Sequence, residues 1–447
     1  MLEWLERWGE NEKAVCDIAP DLYGKFGVKR GLRNDDGSGV LVGLTTISSV
    51  VGYTMTDGEL QPVDGVLRYR GLDVRELCAG IMGEGRHGFE EVSHLLLLGH
   101  LPDRDDLKGF HHLLAQRRGL PEGFFERMIS SLPSRDVMNA LARTVLALYA
   151  IDPKPDGVSF KKMLRQSVEL IAKFPIMIAA NYHVQQHVYE GKPLFQPEPA
   201  DGKLTHAENF LKMMRPDGRY SKLEADTLDL ALMLHAEHGG GNNSSFTVHV
   251  ITSTGSDTYS AISAAIGSLK GPKHGGANLS VKMMFQNIMK GVKDWTDEDE
   301  VAAYVTKIVQ GKVGDRSGLV YGMGHAVYTK SDPRTIILRG KARELARAKG
   351  RKDELALMET VERVTPEIFY RVRKSKKVIP ANVDFYSGFV YDCLDIPQEL
   401  YTPLFAMARV SGWCAHRIEE LLCGGRIIRP AYKAVAPSQA YVPLKKR

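Results

Sequence analysis

Apolar positions recur at helical spacing along most of this chain. Phe89-Glu-Glu-Val-Ser-His-Leu-Leu-Leu-Leu98 is apolar over much of its circumference and stops at Gly99, which predicts a buried helix. Residues 136–148 predict another, and residues 223–234, rich in Leu and Ala, predict a third that ends at His235. Tyr259, Ile262, Ile266 and Leu269 place an apolar helix face that runs into Gly271-Pro272, where proline ends the helix. Residues 353–372 are amphipathic. Residues 399–422 predict a long helix with Leu404, Ala408, Gly412, Ala415, Ile418 and Leu422 on one side. Start signals agree with these periods. Thr296-x-x-Asp299 reads as a capping-box-like start, and Asp332-Pro333 as an N-cap followed by proline at the first helical position.

The stretch before about residue 70 reads differently. Val40-Leu-Val42, Thr46-Ile-Ser-Ser-Val-Val51 and Val66-Leu-Arg-Tyr-Arg70 are short extended candidates, with Asp57-Gly58 and Asp64-Gly65 as turns. Residues 152–157 and 196–202 are proline-rich, but apolar periodicity resumes on both sides, so they read as surface loops. The expected fold class is all-α, with a minor β element near the N-terminus.

Composition narrows the function. The chain has 447 residues, 43% hydrophobic and 25% charged, which suits a globular protein with a large core. A net charge of +5 without a clustered basic stripe argues against nucleic acid and leaves room for an anionic small substrate. The five cysteines (Cys16, Cys78, Cys393, Cys414, Cys423) show no C-x-x-C spacing and read as reduced thiols. No apolar run reaches membrane-span length, and Met1-Leu-Glu-Trp-Leu-Glu-Arg carries acids where targeting segments avoid them. The expectation is a cytoplasmic protein with no membrane partner.

Four segments put ionisable residues beside glycines or helix starts. Leu234-His-Ala-Glu-His-Gly-Gly-Gly-Asn-Asn243 is a helix end that opens into a glycine run. Gly271-Pro-Lys-His-Gly-Gly-Ala-Asn278 presents His274 where little side-chain bulk blocks a ligand. Tyr321-Gly-Met-Gly-His-Ala-Val-Tyr-Thr-Lys-Ser-Asp-Pro-Arg334 sets His325 on a glycine loop and Arg334 in the first turn of a helix, a good receptor for a carboxylate or phosphate. Pro380-Ala-Asn-Val-Asp-Phe-Tyr-Ser-Gly388 places Asp384 beside a turn, where burial would make it a general base. His235-x-x-His238 lacks H-E-x-x-H and any supporting cysteine pair, so no metal is expected there. Walker A and G-x-S-x-G are both missing, which argues against P-loop and serine-hydrolase chemistry.

Taken in order, Gly-Pro-x-His-Gly-Gly-Ala-Asn, Gly-His-Ala-Val-Tyr-x-x-x-Asp-Pro-Arg and Asn-Val-Asp-x-x-Ser-Gly resemble the citrate synthase family, and the likeness extends from residue 66 to Arg426-Ile-Ile-Arg-Pro430. The resemblance implies an all-α homodimer that needs no cofactor beyond its CoA substrate. Its large domain would comprise residues 1–277 and 393–447, and a smaller closing domain residues 278–392. The reaction implied is condensation of acetyl-CoA with oxaloacetate, then thioester hydrolysis to citrate and CoA. By position, Asp384 is the base, His274 stabilises the enol, and His325 donates to the oxaloacetate ketone. His238, Arg334 and Arg409 hold oxaloacetate, and Arg429 reaches in from the partner subunit. The loop of Val320, Gly322, Met323 and Gly324 cradles the CoA adenine. Thr329 stands where some relatives have arginine, which leaves Lys330 as the nearby cation. Gly239 and His249 also depart from the family pattern. The rival readings are a 2-methylcitrate synthase using propionyl-CoA and a non-catalytic CoA-binding scaffold.

Overall fold

A computed structural model describes residues 18–56, 59–200, 202–374 and 378–446. They form two compact units, residues 18–43 with 428–446 and residues 44–427. The first is small. It holds helix α1 (Asp21–Lys25) and a turn closed by the bridge between Arg33 and Gly39, and Lys433 sits over the Phe26 ring.

The second unit begins with a sheet. Strands β1 (Ser48–Thr56), β2 (Glu59–Tyr69) and β3 (Leu72–Asp73) pair antiparallel in that order, with Ser48 opposite Tyr69. The β-branched run 46–51 and the segment 66–70 are strands, as the sequence predicts. Val40-Leu-Val42 is not: it has no sheet partner. The expected Asp57-Gly58 turn lies outside the described residues. The hairpin is longer than its sequence signal because polar Gln61 and edge-tolerated Pro62 continue the ladder without an apolar alternation, and Asp64-Gly65, expected as a turn, lies inside β2 where the register shifts between Val51 and Tyr53.

Helices follow: α2 (Val74–Gly83), α3 (Phe89–Leu98), α4 (Arg104–Arg117), α5 (Val137–Ala147), α6 (Phe160–Glu190), α7 (His206–Met214), α8 (Lys222–His235), α9 (Asn243–Thr252), α10 (Thr258–Lys270), α11 (Ala277–Gly291), α12 (Glu298–Val309), α13 (Pro333–Ala348), α14 (Lys352–Arg373), α15 (Asp384–Cys393) and α16 (Tyr401–Leu422). The all-α expectation holds, with the β element near the N-terminus. Gly99 ends α3 in the left-handed region, as expected of a C-terminal glycine. One start differs from the reading. The N-cap of α12 is Asp297, whose carboxylate accepts from the backbone N–H of Asp299 and Glu300, while Thr296 bonds Asp294 in the turn before it. A carboxylate outcompetes a hydroxyl for orphan N–H groups because it also meets the positive end of the helix dipole.

The core gathers around α16, which is buried along most of its length from Tyr401 to Ile418 and packs on α3, α6, α8, α9 and α10. Its small residues permit this. A Cβ on Gly412 would lie 2.5 Å from the Ala236 carbonyl oxygen, so α16 meets the end of α8 backbone to backbone. That approach carries Arg409 into the centre of the unit.

Candidate active site

The C-terminal end of α8 and the glycine run behind it supply the first wall. His235 and His238 are both buried, at 1% and 7% exposure. Burial, then the positive charges of Arg334 and Arg409, hold both imidazoles well below their usual range, so both are neutral. Neither His235 nitrogen has a hydrogen-bond partner among the described residues, nor does Nε2 of His238. Between them Glu237 is fully buried. Burial alone would raise its pKa, but His416, Arg409 and Ser48 hold it at about 2. Its carboxylate meets His416 Nε2 at 3.0 Å. His416 Nδ1 lies 3.2 Å from His249 Nε2, and His249 Nδ1 lies 2.7 Å from Glu420. His249 is thus part of a relay running outward from the site floor.

α10 delivers His274, as the apolar face 259–269 predicts. Gly275 is required by close approach: a Cβ there would lie 2.5 Å from the Leu269 carbonyl oxygen. His274 Nε2 lies 3.1 Å from Ser244 Oγ, which also accepts from Trp413 Nε1–H at 3.1 Å. Burial, helped by Arg409, lowers His274 to about 4, so the ring is neutral near pH 7.

The glycine loop and the start of α15 form one stitched structure. Gly324 N–H donates to the Pro380 carbonyl (2.7 Å), Asn382 N–H donates to the Gly322 carbonyl (2.8 Å), and Asn382 Nδ2 donates to the Gly324 carbonyl (2.9 Å). Gly322 has φ +79°, and a Cβ there would sit 2.9 Å from Phe385 Cα, so only glycine fits. Asn382 Oδ1 then accepts from Asp384 N–H at 3.0 Å, starting α15. His325 Nδ1 accepts from the backbone N–H of Val327 and of Tyr328, both at 3.0 Å. Two donors on Nδ1 leave the proton on Nε2, so this imidazole presents an N–H. Its ring lies 5.1 Å from that of His238 and 4.7 Å from that of Tyr328.

Two arginines and one acid complete the site. Asp332 caps α13 and also holds Arg334, with Nε to Oδ1 at 3.0 Å and Nη2 to Oδ2 at 2.7 Å. Burial opposes the Arg334 charge, and Asp332 more than restores it. Arg409 is fully buried. Its Nε donates to the His235 carbonyl at 2.7 Å, and its plane lies 4.6 Å from the Phe405 ring centre. Its Nη1 and Nη2 are inaccessible and have no partner among the described residues. Burial lowers it to about 10, with Glu237 the leading counter-charge. Asp384 carries no hydrogen bond on its carboxylate among the described residues. Burial raises it to about 6, against the pull of Arg334.

The structure therefore gathers His238, His274, His325, Arg334, Arg409 and Asp384, each within electrostatic reach of at least one other. Of the loop residues, Val320 is buried and Gly322 and Gly324 have positive φ. Met323 and exposed Lys330 line a cavity of about 340 Å³ together with Ser331, Arg339 and Pro380. Arg429 is exposed and belongs to the other compact unit. Sequence reasoning missed Ser244, Asp332 and Glu237 as partners of the site. Asp332 was visible as a cap, but its second role needs the Arg334 side chain to fold back two residues, which no periodicity reports.

A family model described as citrate synthase, C-terminal domain, matches residues 36–431. The chain is 36% identical over 401 residues to a citrate synthase of Deinococcus radiodurans, spanning 89% of this chain and 97% of that protein. It is 33% identical over 428 residues to 2-methylcitrate synthase 1 of Corynebacterium glutamicum, spanning 94% of this chain and 98% of that one. Among solved structures it is similar to a citrate synthase of Thermoplasma acidophilum in a ternary complex with carboxymethyl coenzyme A and oxaloacetate. The TM-score is 0.76 and the identity 28%, over 94% of this chain and 99% of that chain.

Proposed function

The chain belongs to the citrate synthase family, and from that premise we propose that it condenses acetyl-CoA with oxaloacetate and water to give citrate and CoA. The observation that carries this reading is Arg409: a fully buried guanidinium whose two terminal nitrogens have no partner among the described residues. An orphaned buried donor costs about 1–3 kcal/mol, and two parallel N–H groups match the two oxygens of a carboxylate. Arg334 supplies a second charge, and His238 Nε2 points a neutral imidazole at the same ligand.

The other groups divide the chemistry. The Asp384 carboxylate takes a proton from the acetyl methyl carbon, and the electron pair moves onto the thioester oxygen. His274 meets that oxygen. The Ser244 oxygen holds Nε2 at 3.1 Å, which leaves the Nδ1 side of the ring to face the enol. The enol carbon attacks the ketone of oxaloacetate, and His325 Nε2–H protonates the alkoxide as the C–C bond forms. Water then cleaves the thioester, releasing the CoA thiol and citrate. A carboxylate near pKa 6 suits this task because it stays ionised at neutral pH yet is more basic than free aspartate.

Residues 278–392 act as the closing domain, since Arg334 and Asp384 lie within it while His238, His274 and Arg409 lie outside. Met323, Gly324 and Lys330 receive the CoA. The chain works as a homodimer in the cytoplasm, with Arg429 lent to the partner's site. No described helix is long and apolar enough to cross a membrane. Propionyl-CoA is the second reading, because a relative named 2-methylcitrate synthase is also 33% identical. One methylene is worth about 1–3 kcal/mol in a pocket. Thiol release measured with each acyl-CoA, with and without oxaloacetate, tests both readings. A kcat/KM at least tenfold higher for acetyl-CoA supports the first, the reverse ratio supports the second, and no oxaloacetate-dependent release refutes both.

A further inference from the structure

Far along the chain from the motifs above, the junction of α3 and α4 brings three unused ligand-type side chains together. α3 places His94 on its buried face, at 4% exposure. Gly99, at φ +86°, turns the chain back after the helix, and exposed His100 follows it. The turn sets the two imidazoles edge to face, with ring centres 5.3 Å apart. Asp106 lies in the first turn of α4, which Asp103 caps, so its own carboxylate is not spent on the helix end. One donor atom from each of His94, His100 and Asp106 lies within 4.8 Å of the other two.

The hydrogen bonds decide what these groups offer. His94 Nδ1 lies 3.2 Å from the His100 carbonyl oxygen, and His100 Nδ1 lies 3.2 Å from the Leu98 carbonyl oxygen. A carbonyl only accepts, so both Nδ1 atoms carry the proton and both Nε2 atoms keep a lone pair. An imidazole whose N–H is fixed on a backbone carbonyl is the usual support of a metal-bound histidine, because it sets the tautomer and the ring orientation in advance. Asp106 has no ion pair or carboxylate hydrogen bond among the described residues, although Arg117 and Lys162 line the same cavity of about 610 Å³ that His94 and Asp106 face.

We propose that His94, His100 and Asp106 form a divalent-metal site, outside the catalytic centre, whose two-imidazole, one-carboxylate donor set takes zinc. Zinc bonds of about 2.0–2.2 Å require the donors to draw together by roughly an ångström. His100 and Asp106 are exposed and can close that gap around anchored His94. The cavity leaves room for a water as the fourth ligand. The ion would clamp the end of α3 to the start of α4 across residues 99–103.

Titration of the full-length protein with zinc(II) alone, followed by calorimetry in a Cys423→Ser background to remove the one exposed thiol among the described residues, tests this. The variants His100→Ala and Asp106→Asn change exposed side chains and leave the core intact. The expected result is one equivalent of zinc bound, at least tenfold weaker in each variant and unchanged in a His112→Ala control. Cobalt(II) in place of zinc should give the visible absorption of a four-coordinate nitrogen and oxygen site, and lose it in His100→Ala. Turnover without added metal should be the same in all four proteins. No saturable binding, or equal binding in the wild type, His100→Ala and Asp106→Asn, overturns the proposal.

Discussion

Burial raises Asp384 to about 6 and lowers Arg409 to about 10, so the unliganded site holds both ionised groups against their preference. For Asp384 this has a sign that can be checked. A carboxyl whose folded pKa lies above its ordinary 3.8 binds its proton more tightly when folded. Its contribution to stability is complete below about 4 and is lost as pH rises through about 6. Asp384→Asn should therefore be more stable than the wild type at pH 8, by about 1–2 kcal/mol once screening of the part-exposed carboxyl is allowed for, and equal to it at pH 3.5. Urea unfolding at the two pH values measures this. For Arg409, replacement by leucine removes a buried charge that Glu237 only partly offsets, while His416 and Ser48 still hold Glu237, so the fold should tolerate it. Oxaloacetate affinity should nonetheless fall by roughly 1.5–3 kcal/mol or more, read by calorimetry. At this scale the motifs in the sequence named His238, His274, His325, Arg334 and Asp384. They did not name what tunes them. Ser244 and Glu237 act through contacts 30 and 189 residues away, which exist only once the chain has packed, and Asp332 acts through a side chain two residues on that folds back.

Helices with clean punctuation were legible: α3 up to Gly99, α8 up to His235, α13 from Asp332-Pro333. α6 was not. It is 31 residues long, contains Pro175, and buries Gln166, Asn181, His183, Gln185 and Gln186, so polar residues interrupt the apolar period that would announce it. Those side chains find partners only in the folded unit, as Gln166 does with Asp152 and Thr258. The loop 320–324 shows the opposite case, where glycines signal a backbone demand. Gly322→Ala would force a strained φ and push a Cβ to 2.9 Å from Phe385, at the start of the helix that carries Asp384. The expected outcome is a loss of about 1–3 kcal/mol in stability, together with a kcat lowered by tenfold or more. A thermal scan with parallel kinetics checks it. A variant that loses stability but keeps full kcat would mean that the stitching of 322–324 to 380–382 does not position the base.

At the scale of the whole molecule, the proposal is a closing, shared site. Thr329 Oγ1 donates to the Gly52 carbonyl, and Ser331 Oγ donates to Asp64 at 3.0 Å, so residues 327–333 rest on the β hairpin. Gly52 and Gly65 permit it, since a Cβ on either would strike that segment's backbone. Oxaloacetate bridging Arg334 and Arg409 would tighten the same closure and raise acetyl-CoA affinity, a coupling that is reciprocal. No pattern of residues signals the dimer geometrically; only the family resemblance puts Arg429 in a partner's site. Inactive His274→Gly and Arg429→Leu proteins, mixed and shown to exchange subunits, should regain activity, because one site of each heterodimer is intact. Exchange without recovery would remove Arg429 from its role. The claim on which everything else rests is that Asp384 takes the acetyl proton. Its most direct test is turnover of Asp384→Asn, followed by CoA-thiol release and citrate formation, beside its oxaloacetate affinity. The account predicts turnover lower by about 10²–10⁴ with affinity within about threefold of wild type; near-normal turnover in that variant would contradict it.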